Sequence, residues 1–241
     1  MQTVDFWNKR NLHRSKIVFL FLLIPFALTA QDRKEIHNPN YDNQRILTYG
    51  FSLGFHVSAF QLNYSDAFVN VLDSVHSIQP TPSIGFSLGF IINARLAEYL
   101  DVRLTPKVGF YEYHLEYNYL NATQKVEVEE STVVELPVLV KYKSVRRQNS
   151  RMYIVGGLTP AFEASGTSDL EENKELLQIK RFNLSAEVGF GLDLYYPLFK
   201  FSPELRFSKG LINMLSDQKN DLSVGIDRLN TSVIAFYLHF Q

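Results

Sequence analysis

Cysteine is absent from all 241 residues. Its absence excludes disulfides, thiol chemistry and Cys-based metal sites, and it excludes a lipoprotein anchored through an acylated cysteine. Neither sign of charge dominates. Twenty-four basic and 25 acidic residues give a net charge of −1, which leaves no basic footprint for nucleic acid. Charged residues are scarce at 20%, below the ~25% of an average soluble domain. Beyond residue 30 no apolar stretch approaches the ~18 residues of a transmembrane helix. No Pro/Gly/Ser-rich linker and no internal repeat divides the chain, so it reads as one domain.

What is present begins with a basic head, Lys9, Arg10, Arg14 and Lys16, followed by the apolar run Ile17 to Leu28 and then Thr29-Ala30. A basic head, a short apolar core and a small residue before the polar Gln31-Asp32-Arg33-Lys34-Glu35 form the pattern of a cleavable secretory signal. A membrane-anchoring helix is the alternative. However, the ~12–14-residue apolar core is short of the ~20 needed to span, and Pro25 interrupts it. Residues 1–30 are therefore expected to be a signal peptide, 31–48 a periplasmic N-terminal segment, and 49–241 the folded domain. Removing the signal leaves a net charge of −4.

The rest of the chain alternates with a period of two. Tyr49, Phe51, Leu53, Phe55 and Val57 are separated by Gly50, Ser52, Gly54 and His56. Ile84, Phe86, Leu88, Phe90 and Ile92 are separated by Gly85, Ser87, Gly89 and Ile91. Similar runs cover Leu100 to Tyr117, Val134 to Lys143, Phe182 to Leu194, Phe201 to Ser208 and Ser232 to Phe240, with a less regular one near Met152 to Phe162. Such alternation marks strands with two unlike faces, and there are eight of them. Aromatics at 14%, with 13 Tyr and 19 Phe, suit aromatic rims, although a soluble β-sandwich also accommodates them.

The connections separate these two folds. Residues 58–82, 118–126, 163–180 and 209–230 form long links, alternating with the short ones 93–99, 144–150 and 195–200. Outer-membrane barrels combine short periplasmic turns with long external loops, an even strand number and both termini on the periplasmic side. The expected fold is thus all-β: an eight-stranded antiparallel transmembrane β-barrel with its apolar face to lipid. Pro106, Pro137 and Pro203 fall within strands, where each removes a ladder donor, and are expected at bulges or near the rims.

Eight strands leave an interior that side chains can fill. The inward set includes Asp101, Arg103, Lys107, Glu135, Lys141, Glu187, Asp193, Glu204 and Arg206. Both signs are present, as a buried network of paired charges requires. The expected role is structural; the alternative is a site in which one carboxylate acts as an acid or base. The histidines show no metal-binding spacing, so no metal and no cofactor is expected. There is no nucleophile elbow with its strand-to-helix turn, and Ser52 and Ser87 read as small residues packing a narrow lumen. Gly156-Gly157 lies in a strand-like run and not before a helix. Asn121-Ala122-Thr123 fits a glycosylation sequon that a bacterial context makes irrelevant. Arg146-Arg147, in a short turn, is either a solvated pair or a contact for a partner or lipid phosphates.

Glu130-Ser131-Thr132-Val133-Val134-Glu135-Leu136-Pro137-Val138-Leu139-Val140-Lys141-Tyr142-Lys143-Ser144 resembles the most recognisable stretch of the PorT family. Arg95-Leu96 with Leu100 to Pro106, and Glu187 to Asp193 through Phe201 to Ser208 and Gly210-Leu211, are similar to it as well. The likeness runs in order through most of residues 49–240. It implies an eight-stranded outer-membrane barrel of Bacteroidetes associated with type IX secretion and gliding motility, with in-strand prolines at Pro137 and Pro203 as family features and no catalytic residues. The expected function is a non-enzymatic secretion component supporting translocon assembly or stability. Its expected partners are outer-membrane lipid, lipopolysaccharide and other secretion proteins, with no nucleic acid. A surface adhesin or ligand-binding barrel acting through external loops is the second reading, and a small outer-membrane lipid-modifying enzyme the third.

Overall fold

The computed structural model describes residues 36–38, 45–65, 75–119, 125–166, 179–215 and 226–241. The expected signal segment, and residues 31–35 and 39–44 of the expected N-terminal segment, lie outside the described residues.

Eleven strands follow one another: β1 (Leu47–Tyr64), β2 (Val75–Thr81), β3 (Ser83–Arg95), β4 (Leu100–Leu104), β5 (Lys107–Tyr119), β6 (Lys125–Glu135), β7 (Val138–Lys143), β8 (Ser150–Gly166), β9 (Phe182–Tyr195), β10 (Lys200–Gly210) and β11 (Ile226–Phe240). All pair antiparallel, and the pairings form a ring. β1 is bonded to both β3 and β11, while β8 joins β6 and β7 to β9. Three pairs are single staves interrupted at proline: β2 with β3 at Pro82, β4 with β5 at Pro106, and β6 with β7 at Pro137. The ring therefore has eight staves. Closure leaves no sheet edge, which a membrane interior demands of any β-structure.

Pro106 and Pro137 lie neither at bulges nor at rims. The register of β3 on β5 (Phe86↔Phe110) continues unchanged in β3 on β4 (Ile92↔Leu104), and the same holds for β5–β6 and β4–β7. The ladder survives because the proline carbonyls still accept: Phe90 N–H donates to Pro106 at 2.9 Å and Thr105 N–H to Pro137 at 3.1 Å. Pro203 lies inside β10, opposite Leu238, and costs only part of its ladder with β9. A proline does coincide with a one-residue register shift at Pro82. Thr81 pairs with His114, which the Phe86↔Phe110 register would otherwise set opposite Pro82.

The alternation sorts side chains onto two faces. Ile84 is 78% exposed, Phe90 70% and Val188 61%, while Ser52, Arg103, Lys141 and Glu204 are buried. The ring is thus apolar outside and polar inside, the inverse of a water-soluble barrel. A continuous apolar belt of this extent needs lipid as its solvent. Along β1 the belt runs from Tyr49 to Val57; at ~3.4 Å per residue and a tilt near 40° it is about 20 Å tall, close to the ~25 Å expected.

Past the belt the polarity inverts. β1 continues to Tyr64 through the region read as a loop, with Gln61 and Asn63 outward, and Phe60 is buried on the inside. Phe60, Tyr111, Tyr113, Met214, Ile226 and Leu229 form an apolar cluster within this far end. Water replaces lipid there, so the same fold turns its apolar residues inward. The start of β1 and the end of β11 lie at the opposite end, with the short turns 96–99, 144–149 and 196–199.

Candidate functional site

The inward positions of seven staves converge on one charged plug. At its centre Arg103 meets Glu204 at 2.6 Å; Glu204 also pairs with Arg206, and Arg206 reaches Glu187 at 2.9 Å. Toward the short-turn end Lys141 lies 2.7 Å from Asp193, and Lys143 2.6 Å from Asp101. Toward the far end Lys107 lies 2.6 Å from Glu135. All nine residues singled out from the sequence are buried in this lumen, and each has an oppositely charged partner.

What sequence reasoning missed are the groups that join these pairs. Tyr153 donates to Glu204 at 2.8 Å, while Lys141 stands 3.7 Å and Arg103 5.3 Å from its ring centre. Tyr237 accepts from Lys107, and Lys107 and Arg206 lie 4.7 and 4.4 Å from its ring centre. Each ring thus lies beside two cations; the Tyr153 hydroxyl goes to a carboxylate, whereas that of Tyr237 takes the Lys107 ammonium itself. Tyr111 donates to Glu135, Asn93 accepts from Arg103 Nε at 2.8 Å, and Ser202 donates to Asp193 at 2.6 Å. The signal for Tyr153 and Tyr237 was parity alone: each stands at an inward position between lipid-facing residues. Lys143 was readable in the same way.

Chemically the plug is saturated. Five carboxylates face five cations at 2.6–2.9 Å, so each acid is already committed to a pair. Ser52 and Ser87 each stand within a Gly-x-Ser-x-Gly pentapeptide, but in mid-strand and buried, without the strand-to-helix turn a nucleophile requires. Gly156 and Gly157 both lie within β8. Among the described residues no group of His, Asp and Glu is arranged to hold a metal ion. Asn121-Ala122-Thr123 lies outside the described residues.

Arg146 does not stand free in its turn. Its guanidinium donates to the carbonyls of His37, Asn38 (2.9 Å) and Gln148 (2.8 Å) and lies 3.7 Å from the ring centre of Tyr195. It thereby ties residues 37–38 to the short-turn end, while Arg147 remains exposed.

Comparison with solved structures returns small outer-membrane barrels at low identity. Neisserial surface protein A is 8% identical, with a TM-score of 0.42, covering 80% of this chain and 97% of its own. OprG of Pseudomonas aeruginosa is 14% identical, with a TM-score of 0.41, covering 79% and 93%. The attachment invasion locus protein Ail of Yersinia pestis is 11% identical, with a TM-score of 0.35, covering 80% and 96%. No curated protein matches the chain significantly. The family model described as "Outer membrane protein beta-barrel domain" matches residues 29–216, more than three quarters of the sequence, and the chain belongs to that family of outer-membrane β-barrels.

Proposed function

We propose that this barrel is a non-enzymatic, non-conducting component of a protein secretion system, of the PorT-like type IX kind, that supports assembly or stability of the translocon. The observation that carries the reading is the filled lumen. Arg103, Lys141, Asp193 and Glu204 have no exposed surface, so no path for cargo or ions runs past them. A plugged barrel of eight staves offers partners its outer wall and its two ends, as a scaffold does. Pairing of the five plug carboxylates with cations supports the non-enzymatic part. The sequence blocks around Glu135-Leu136-Pro137 and Phe201-Ser202-Pro203 support the PorT-like part. In this reading the short turns and both ends of the chain face the periplasm, and the apolar belt contacts outer-membrane lipid and lipopolysaccharide.

Deletion of the gene tests it. Loss from the medium of cargo bearing a C-terminal secretion signal, restored by the native chain, is the expected result; unimpaired secretion overturns it. A second reading, a surface-binding barrel, is favoured by the strands that continue past the belt, where β5 and β6 stay paired out to Tyr117↔Lys125. Normal secretion combined with lost adhesion would select that reading.

A further inference from the structure

Between the charged plug and the apolar cluster at the far end lies a cavity of ≈ 70 Å³. Its floor is Lys107, Glu135, Glu187 and Arg206, and its apolar wall includes Phe60, Tyr113, Met214 and Val233. A third side is polar and incomplete. Thr159 is only 2% exposed and lines the cavity, yet its hydroxyl has no hydrogen-bond partner among the described residues. Asn183, which also lines it, gives its Nδ2–H to Thr231 at 2.9 Å but leaves Oδ1 buried and without a partner among the described residues. Buried polar atoms are almost always paired, and two unpaired ones facing one space call for a ligand.

We propose that this cavity is a binding site for a small neutral carboxamide with a short branched apolar tail. The requirements follow one by one. Asn183 Oδ1 needs a donor and the Thr159 hydroxyl needs an acceptor; a primary amide supplies the N–H and the C=O on adjacent atoms. On the floor Lys107 is paired with Glu135 and Arg206 with Glu187, so a charged ligand would add an uncompensated charge beside two closed ion pairs; Glu163, Lys180 and Arg181 line the remaining sides. A volume of ≈ 70 Å³ limits the ligand to a short tail on the amide head. The thioether of Met214 and the ring of Phe60, which stacks on Tyr113 with centroids 4.2 Å apart, form the wall for that tail. The site is independent of the secretion reading, since it involves neither the outer wall nor a partner protein.

The chain's methionines supply the readout. Of its three, Met1 lies in the expected signal segment, Met152 is 66% exposed on the lipid face and Met214 lines the cavity. With the full-length protein carrying ¹³C-methyl methionine in detergent micelles, titration with isobutyramide should shift the Met214 methyl saturably and leave Met152 unmoved. Isobutyrate, nearly the same shape but charged, should give no saturable shift. Thr159→Val removes the hydroxyl at constant shape and should weaken isobutyramide about fivefold, the worth of one hydrogen bond. Ala161→Leu, which fills the cavity from a buried wall position, should abolish the shift. Retained heat-modifiable mobility on gels certifies that each variant is folded. Parallel, unsaturable shifts at both methionines, binding of isobutyrate as tight as that of the amide, or unchanged affinity in both folded variants each overturn the proposal.

Discussion

Glu204 has the most cationic neighbours of any lumen carboxylate. It faces Arg103 and Arg206, accepts from Tyr153, and lies 3.5 Å from His239 Nε2, with no exposed surface of its own. Truncating it leaves the buried Arg103 guanidinium without a carboxylate and Arg206 with Glu187 alone. Glu204→Ala should therefore cost ~3–5 kcal/mol, the range for breaking a buried pair, with Glu204→Gln in between because it keeps hydrogen bonds but not charge. Urea unfolding in micelles measures this, and the exposed Arg147→Ala should leave the midpoint unchanged; equal midpoints for Glu204→Ala and native protein would refute the plug's structural role. Two glycines give a contrast of the same kind. A Cβ on Gly191 would lie 2.4 Å from the Tyr153 hydroxyl and 2.8 Å from the Pro203 carbonyl, so Gly191→Ala must push aside the ring that holds Arg103 and Lys141. At Gly156 the nearest atom a Cβ would meet is the Glu187 carbonyl oxygen at 3.7 Å. Gly156→Ala should thus gain up to ~1 kcal/mol from lost chain entropy, while Gly191→Ala should lower the unfolding midpoint. A reversed order would refute the packing described around Tyr153.

At the scale of elements the prolines decide how tolerant the ladder is. Thr105 N–H donates to the Pro137 carbonyl at 3.1 Å, and the reciprocal bond is missing because Pro137 has no N–H. Pro137→Ala supplies that donor, worth ~0.5–1.5 kcal/mol. It also frees the unfolded chain, which costs ~0.4–1 kcal/mol. The two nearly cancel, so stability within about 1 kcal/mol of native is expected on urea unfolding, and collapse of the barrel would mean that the proline itself sets closure. This balance also explains why alternation could be read straight through Pro106 and Pro137: the register never shifts there, although the strands are formally interrupted. Eight staves and the inward set from Asp101 to Arg206 were legible because a period of two leaves each residue only two possible faces. The run near Met152 to Phe162 read poorly because its inward side carries Tyr153, Val155 and Ala161 in place of uniformly polar groups. The strand extensions at Ala59 to Tyr64 and Val75 to Thr81 were missed for a different reason. Beyond the belt the outside is water and the inside apolar, so a reading that keeps one polarity throughout sees a loop. The cavity beside Thr159 was not legible at all, since it depends on how side chains from distant staves fall short of filling the space.

At the scale of the whole molecule, the absence of cysteine makes every position available for a single reporter. Three positions separate the environments that the fold implies. Val138 is 50% exposed on the belt, Gln61 lies outward past it, and Arg147 is exposed in a short turn at the opposite end. If the belt sits in lipid, a dye on Val138→Cys should be quenched by a lipid-borne probe and should resist a membrane-impermeant maleimide. Val138→Arg should accordingly cost ~2–4 kcal/mol near the midplane. If the short turns face the periplasm, the maleimide should reach Gln61→Cys on intact cells and Arg147→Cys only after the outer membrane is permeabilised. The orientation and the belt are tested separately by this set. Labelling of Arg147→Cys on intact cells, with Gln61→Cys protected, would invert the barrel while leaving the belt in place. Free aqueous labelling at Val138→Cys would remove the belt from lipid altogether, and with it the reason for the inverted polarity that places Arg103, Lys141 and Glu204 inside.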